Sequence, residues 1–217
     1  MIKRFLLILS LCAGTMTAVH ADKYWEQRVS LFNQLPVTEN DIIFLGNSIT
    51  DGGNFEELFG REDVKNRGIR SDAIPGVMKR LDQITKGHPR KIFLLIGIND
   101  VSHGLTADQL AERYEKLVKE IAARSPQTKL YLQSVMPINN SFKVYKSLTG
   151  KEKTVVEFNA RIKRIAEENG LTYIDLWPAL ADSAGNMKKN LTNDGLHLTG
   201  EGYRAWTELL RPYLDEE

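Results

Sequence analysis

Cysteine is almost missing from this chain. One occurs in 217 residues, Cys12, inside an apolar run near the N-terminus. A form beginning after residue 21 has no disulfide and no thiol nucleophile, and its stability rests on a hydrophobic core. Histidine is scarce as well: His20, His88, His103 and His197 are the full set. They are scattered, without metal-ligand spacing to one another, so neither a metal nor another cofactor is expected. No basic run stands out among 29 Lys and Arg against 28 Asp and Glu. Nothing favours nucleic acid or an anionic membrane surface as a partner. Repeats and low-complexity linkers are also lacking, and 217 residues suit one domain with a sizeable core.

What stands at the N-terminus reads as a leader. Lys3 and Arg4 precede the apolar run from Phe5 to Ala13, and Val19-His20-Ala21 offers small residues for cleavage. This pattern predicts a signal peptide over residues 1–21, an exported chain that is periplasmic or secreted, and one domain over residues 22–217. The run is too short for a stable membrane anchor. Leu11 before Cys12 is not the small residue that a lipoprotein site favours. Removing the leader takes away two cations and no acids, leaving 27 basic residues against 28 acidic ones, a formal net of −1.

Beyond the leader, apolar runs alternate with helical stripes. Asp41 to Leu45, Lys91 to Ile96 and Lys129 to Val135 read as strands covered on both faces, with weaker strands at Val64 to Asn66 and Leu171 to Asp175. Between them, Ile74, Val77, Met78, Leu81 and Ile84 repeat at helical spacing. So do Leu110, Tyr114, Leu117 and Ile121, behind a Thr106/Gln109 capping box. Val155, Phe158, Ile162 and Ile165 form a third stripe, ended at Gly170, and Tyr203, Trp206 and Leu210 a fourth. This alternation predicts an α/β fold, a three-layer α/β/α sandwich on a central parallel sheet. Ligands of such sheets sit outside the carboxyl ends of the strands. Residues 136–151 read as a long polar loop at the site edge.

Polar clusters follow the strands. Ser48, in Gly46-Asn47-Ser48-Ile49-Thr50, follows the first strand and precedes a helical turn; taken alone it reads equally well as an N-cap. Thr50 departs from the G-x-S-x-G elbow and argues against the α/β-hydrolase fold. His197 has Asp194 three residues earlier on a Gly-containing turn, a spacing that can orient an imidazole as a base. His88 lies in a Gly/Pro turn, and His103 has only Asp100 nearby. Asp100 and Asp175 read as structural. Asn99, in Gly97-Ile98-Asn99-Asp100, brings an amide to the same sheet end. Gly68, in Asn66-Arg67-Gly68, brings a bare backbone N–H. Arg67, Arg70, Tyr145 and Trp177 are candidates for the pocket wall, and equally for surface or core packing.

Four such clusters in this order resemble the SGNH (GDSL-like) hydrolase family, over nearly all the chain from Asp41 to Tyr203. The bacterial members similar to this sequence are acylhydrolases of the platelet-activating-factor acetylhydrolase and carbohydrate O-acetylesterase types. The resemblance implies a flavodoxin-like sheet, a nucleophilic Ser48, a base His197 oriented by Asp194, and an oxyanion hole from the Ser48 N–H, the Gly68 N–H and the Asn99 side chain. Asn47 stands where the family motif usually has Asp, which bears on hydrogen bonding at the nucleophile turn. The implied activity is a serine ester hydrolase acting on a small-molecule or glycan ester, with O-acetylated carbohydrate first. A lysophospholipase, lipase or thioesterase is the near alternative. Acyl transfer to an alcohol uses the same residues, and a non-catalytic binding protein on the same fold is the remaining reading.

Overall fold

The computed structural model describes residues 22–216; the leader expected over residues 1–21 lies outside them. Five parallel strands form one sheet: β1 (Ile42–Gly46), β2 (Val64–Gly68), β3 (Lys91–Leu95), β4 (Lys129–Gln133) and β5 (Thr172–Ile174), in the order β2-β1-β3-β4-β5. β1 and β3 are buried along their whole length, as the continuous apolar runs require. The chain runs from β1 to β2 on one side and then crosses to β3 on the other. The carboxyl ends of β1 and β3 therefore flank the point where strand order reverses, where a doubly wound sheet opens a crevice.

An aromatic column ties the sheet to its covering helices. Phe44 stacks on Phe55 at 4.1 Å and on Phe93 at 5.0 Å, and Phe93 stacks on Tyr131 at 4.5 Å. Trp206, on the C-terminal helix Gly200–Asp215, meets Phe55 edge-on at 5.2 Å and donates its indole N–H to Gln133 Oε1. On the other face the helices Ala107–Arg124 and Glu152–Glu168 pack together, Tyr114 lying edge-on to Phe158. The Thr106/Gln109 capping box forms, and Gly170 takes φ +64° just past its helix. Lys91, almost wholly buried, donates to the Tyr213 and Leu214 carbonyls and so satisfies the end of the C-terminal helix.

Two elements differ from the sequence pattern. The stripe from Ile74 to Ile84 is two short helices, Ile74–Lys79 and Asp82–Thr85, separated where Arg80 turns inward. Residues 136–151 do border the crevice, and they contain two single-turn 3₁₀ segments, Asn140–Phe142 and Lys146–Leu148. An N-terminal helix over residues 22–33, which no sequence pattern marked, lies against the site loops.

Candidate active site

Ser48 is the first residue of the short helix Ser48–Asp51, directly after β1. The cap is Asn47, whose Oδ1 accepts from the Ile49 N–H at 3.1 Å; the Ser48 hydroxyl is thereby left for other work. This is how Asn47 serves the turn: it is 1% exposed and closes the helix start locally. Gly46 permits the turn, since a Cβ there would collide with Thr50 Oγ1 and the Leu95 carbonyl.

The Ser48 hydroxyl lies 2.9 Å from His197 Nε2, and His197 Nδ1 lies 2.8 Å from Asp194 Oδ2. An ionised carboxylate only accepts, so Nδ1 carries the proton and Nε2 accepts from the hydroxyl. Asp194 Oδ1 accepts the N–H groups of Leu196 and His197 at 2.8 Å each, and so folds the turn that carries the imidazole. Gly195 sits at φ +87°, and a Cβ there would meet the Asn139 carbonyl. Burial pushes the Asp194 carboxyl up, but hydrogen bonds from the His197 ring, the Leu196 and His197 amides and the Tyr145 hydroxyl outweigh it and hold its pKa at about 2.

Tyr145, from the segment after β4, completes this group. Its hydroxyl donates to Asp194 Oδ2 at 2.9 Å, and its oxygen lies 2.9 Å from His197 Nδ1. The ring stands edge-on to the imidazole at 5.6 Å. Burial first, and then the hydrogen bond and charge of Asp194, push the Tyr145 pKa up to about 12. The hydroxyl therefore stays a donor throughout the neutral range.

Three N–H groups face the serine's surroundings. Among the described residues, the backbone N–H groups of Ser48 and Ser71 meet no protein acceptor. The Asn99 amide follows β3 on the helix Ile98–Ser102; it spends one hydrogen on the Asp72 carbonyl at 2.7 Å and keeps the other. Gly97, at φ +126°, brings that turn against Phe158. Ser71 is one of three described non-glycine residues in the left-handed region, at φ +63°, a strain of about 1 kcal/mol for an L-residue.

Gly68 is placed differently from its sequence reading. Its N–H donates to Asn66 Oδ1 at 2.7 Å and does not reach the cavity. A Cβ at Gly68 would run into the backbone of Thr50 and Asp51. That glycine lets the Ser48 helix lie flat on β2; it is a packing glycine, and Ser71, three residues on, supplies the free N–H.

Behind Ser71 lies a buried ion pair. Asp72 Oδ2 accepts from Arg80 Nε at 2.8 Å, with both side chains at most 1% exposed. Arg80 also donates to the carbonyls of Gly46 and Arg67 at 3.2 and 2.9 Å. Trp25 reaches across from the N-terminal helix to Asp72 Oδ1 at 3.2 Å. The pair thus pins the end of β1 to the loop bearing Ser71. Asp100 is buried and accepts from the Ile74 N–H at 3.1 Å, a structural role.

These residues border a cavity of about 550 Å³. Ser48, Ser71, Asn99, Tyr145 and His197 line it, together with Arg70, Ser102, Ser147 and the apolar Leu148 and Leu196. Arg67 and Trp177 do not. Arg67 is buried against Phe32, and Trp177 donates to the Val135 carbonyl on another face. His88 and His103 are exposed and lie outside the cavity. A larger groove of about 700 Å³ beside the N-terminal helix has neither serine nor histidine on its walls. Among the described residues no cluster of His, Cys, Asp and Glu is arranged to hold a metal, and no helix is long and apolar enough to cross a membrane.

The profile of the GDSL-like lipase/acylhydrolase family matches residues 44–205. Platelet-activating factor acetylhydrolase IB subunit alpha2 of Rattus norvegicus is 26% identical over 193 residues, covering 82% of this chain and 79% of its own. A solved structure from Streptococcus pneumonia, provisionally described as a platelet activating factor, superposes with a TM-score of 0.87 at 28% identity, over 94% of this chain and 99% of that one. An acetyl-xylooligosaccharide esterase variant from Geobacillus Stearmophilus shares the fold, with a TM-score of 0.66 at 19% identity over 83% and 96% of the two chains.

Proposed function

The chain belongs to the GDSL-like lipase/acylhydrolase family and is a carboxylic ester hydrolase, and from that premise we propose that it removes acetyl groups from O-acetylated carbohydrates through Ser48, His197 and Asp194. The observation that carries the mechanism is the continuous chain from the Ser48 hydroxyl through both ring nitrogens of His197 to Asp194, at 2.9 and 2.8 Å. His197 Nε2 takes the hydroxyl proton as Ser48 Oγ attacks the ester carbonyl. The carbonyl oxygen, now negative, receives the Ser48 N–H, the Ser71 N–H and the free Asn99 amide hydrogen. Ser71 stands here in place of Gly68, whose N–H is committed to Asn66. The alcohol leaves with the proton from His197. Water, deprotonated by the same nitrogen, then releases the acid.

Two observations support a short acyl group and a polar alcohol. The rat relative is by name an acetylhydrolase. The cavity has three serine hydroxyls besides the nucleophile on its walls, at Ser71, Ser102 and Ser147, beside a small apolar patch at Leu148, Leu196 and Leu198. The lysophospholipase, lipase or thioesterase reading lacks a long apolar channel among these lining residues. The leader pattern of residues 1–21 supports export, so that the enzyme acts in the periplasm or outside the cell. The test is a panel of p-nitrophenyl esters from acetyl to dodecanoyl, with acetate release from acetylated oligosaccharides, for wild type and Ser48→Ala. Acetyl esters are expected to be cleaved fastest, with Ser48→Ala inert. Faster cleavage of dodecanoyl esters would overturn the carbohydrate reading.

A further inference from the structure

The cavity wall carries one guanidinium, Arg70, and it is held in a particular way. Its Nε donates to Asp51 Oδ2 at 2.9 Å. Asp51 is 5% exposed and is already held by the Tyr24 hydroxyl at 3.0 Å and by Arg28 at 3.8 Å. The Arg70 guanidinium also faces the Tyr24 ring at 5.5 Å. Only Nε is used; among the described residues both Nη groups are without a protein partner, on a side chain 67% exposed. Asp51 sits on the same short helix as Ser48, one turn along. The open edge of the guanidinium is therefore fixed relative to the serine, and such an edge matches a carboxylate or phosphate with two parallel hydrogen bonds.

The opposite rim has the same sign. Residues 140–148, which bring Tyr145, Ser147 and Leu148 to the cavity, contain Lys143 and Lys146 and no acid, a formal +2. Lys143 and Lys146 are exposed and have no acidic partner among the described residues. The whole chain is close to neutral, at +1, so this positive charge is local to the cavity mouth. The acids beside the cavity do not cancel it outward: Asp194 is taken up by His197 and Tyr145, Asp51 by Arg28, Arg70 and Tyr24, and Asp72 by Arg80, while Asp100 is buried against the Ile74 N–H.

We propose that the ester substrate is an acidic one: an O-acetylated sugar bearing an oxyanion, carboxylate or phosphate, that docks on the Arg70 Nη edge between the two positive rims. This rests on the ester-hydrolase reading of the site and narrows it. The anion sits on the alcohol portion, where Arg70 flanks Ser48, and Lys143 and Lys146 raise its encounter rate. The hydrolysis stays as written above, with the sugar released as the free alcohol and Arg70 taking no part in proton transfer.

The test compares three matched substrates: acetylated galacturonate oligosaccharide, an acetylated sugar phosphate and acetylated neutral xylo-oligosaccharide, each with wild type and Arg70→Gln. The expected result is a kcat/KM for at least one anionic ester roughly ten- to a hundredfold above the neutral one, the scale of one charge-assisted hydrogen-bonded pair. That ratio collapses toward unity in Arg70→Gln and shrinks with added salt. The two anionic arms decide between carboxylate and phosphate. A ratio near unity in wild type, or one that survives Arg70→Gln, overturns the proposal. Neutral p-nitrophenyl acetate, run alongside with wild type, reports the esterase reading by itself. Should no ester be cleaved, calorimetric binding of galacturonate against galactose to the same two proteins puts the anion question independently, with equal weak binding as the overturning result.

Discussion

The Tyr145 hydroxyl donates to the same Asp194 oxygen that receives His197 Nδ1, at 2.9 and 2.8 Å. Tyr145 and Asp194 lie 49 residues apart, on a segment after β4 and on the turn before the C-terminal helix. The hydroxyl thus couples the placement of residues 140–148 to the orientation of the imidazole. Tyr145→Phe keeps the ring against His197 and removes that one donor. Turnover is expected to fall roughly tenfold, the scale of a hydrogen bond to a charged group, with an unchanged circular dichroism spectrum. Wild-type kcat in this variant would leave Tyr145 as a wall residue only.

The free N–H groups make a paired prediction. Asn99→Ala is expected to lower kcat by about two to three orders of magnitude, the usual loss for one oxyanion donor. Ser71→Gly keeps the backbone donor and relieves the left-handed strain at φ +63°. It should keep most of the turnover and gain up to about 1 kcal/mol in stability. Ser71→Pro removes the donor and forbids that φ, and should abolish activity. A strong loss in Ser71→Gly would move the role to the side chain.

Arg80 and Asp72 offer a stability test. Both are buried, and Arg80 also holds the Gly46 and Arg67 carbonyls. Replacing Arg80 with Met leaves a buried carboxylate without its partner, at a cost of about 3–5 kcal/mol in urea unfolding. The Asp72→Asn, Arg80→Met double variant should recover part of that loss, because the uncompensated charge is gone. No recovery would mean that the carbonyl bonds of Arg80 dominate.

Asp194 gives a pH dependence whose sign follows from its lowered pKa, about 2 in the folded chain against roughly 4 for a free carboxyl. The folded state binds this proton more weakly than the unfolded state. The contribution to stability is fully present above about pH 4 and is lost as pH falls toward 2. Melting temperatures of wild type and Asp194→Asn should therefore converge between pH 5 and pH 2.5. A gap that stays constant across that range would show that the carboxylate is not held as described.

The centre of the sheet was legible because β1 and β3 are covered on both faces, and continuous apolar runs such as Ile42-Ile43-Phe44-Leu45 have few other uses; the partly exposed β2 and β5 left weaker patterns. Ser48, Asn99, Asp194 and His197 were legible as well, since each follows a strand or carries its partner at a local spacing. What was not legible is long-range. Nothing in the sequence joins Tyr24 to Asp51, or Trp25 to Asp72, across 27 and 47 residues, so the helix over residues 22–33 went unmarked. Tyr145 stood among several candidate wall residues, because its partner Asp194 is distant in the chain. Gly68 misled for a physical reason: a glycine that admits a neighbouring helix and one that admits a substrate look alike in sequence. The signal for Ser71 is a side chain at positive φ, which only coordinates reveal.

The central claim is that Ser48 is the nucleophile activated by His197. It is tested most directly by reacting the protein with a fluorophosphonate probe and mapping the adduct by peptide mass spectrometry. The account predicts one adduct, on Ser48, lost in Ser48→Ala and strongly slowed in His197→Ala. No adduct on wild type, or equal labelling after Ser48→Ala, would contradict it.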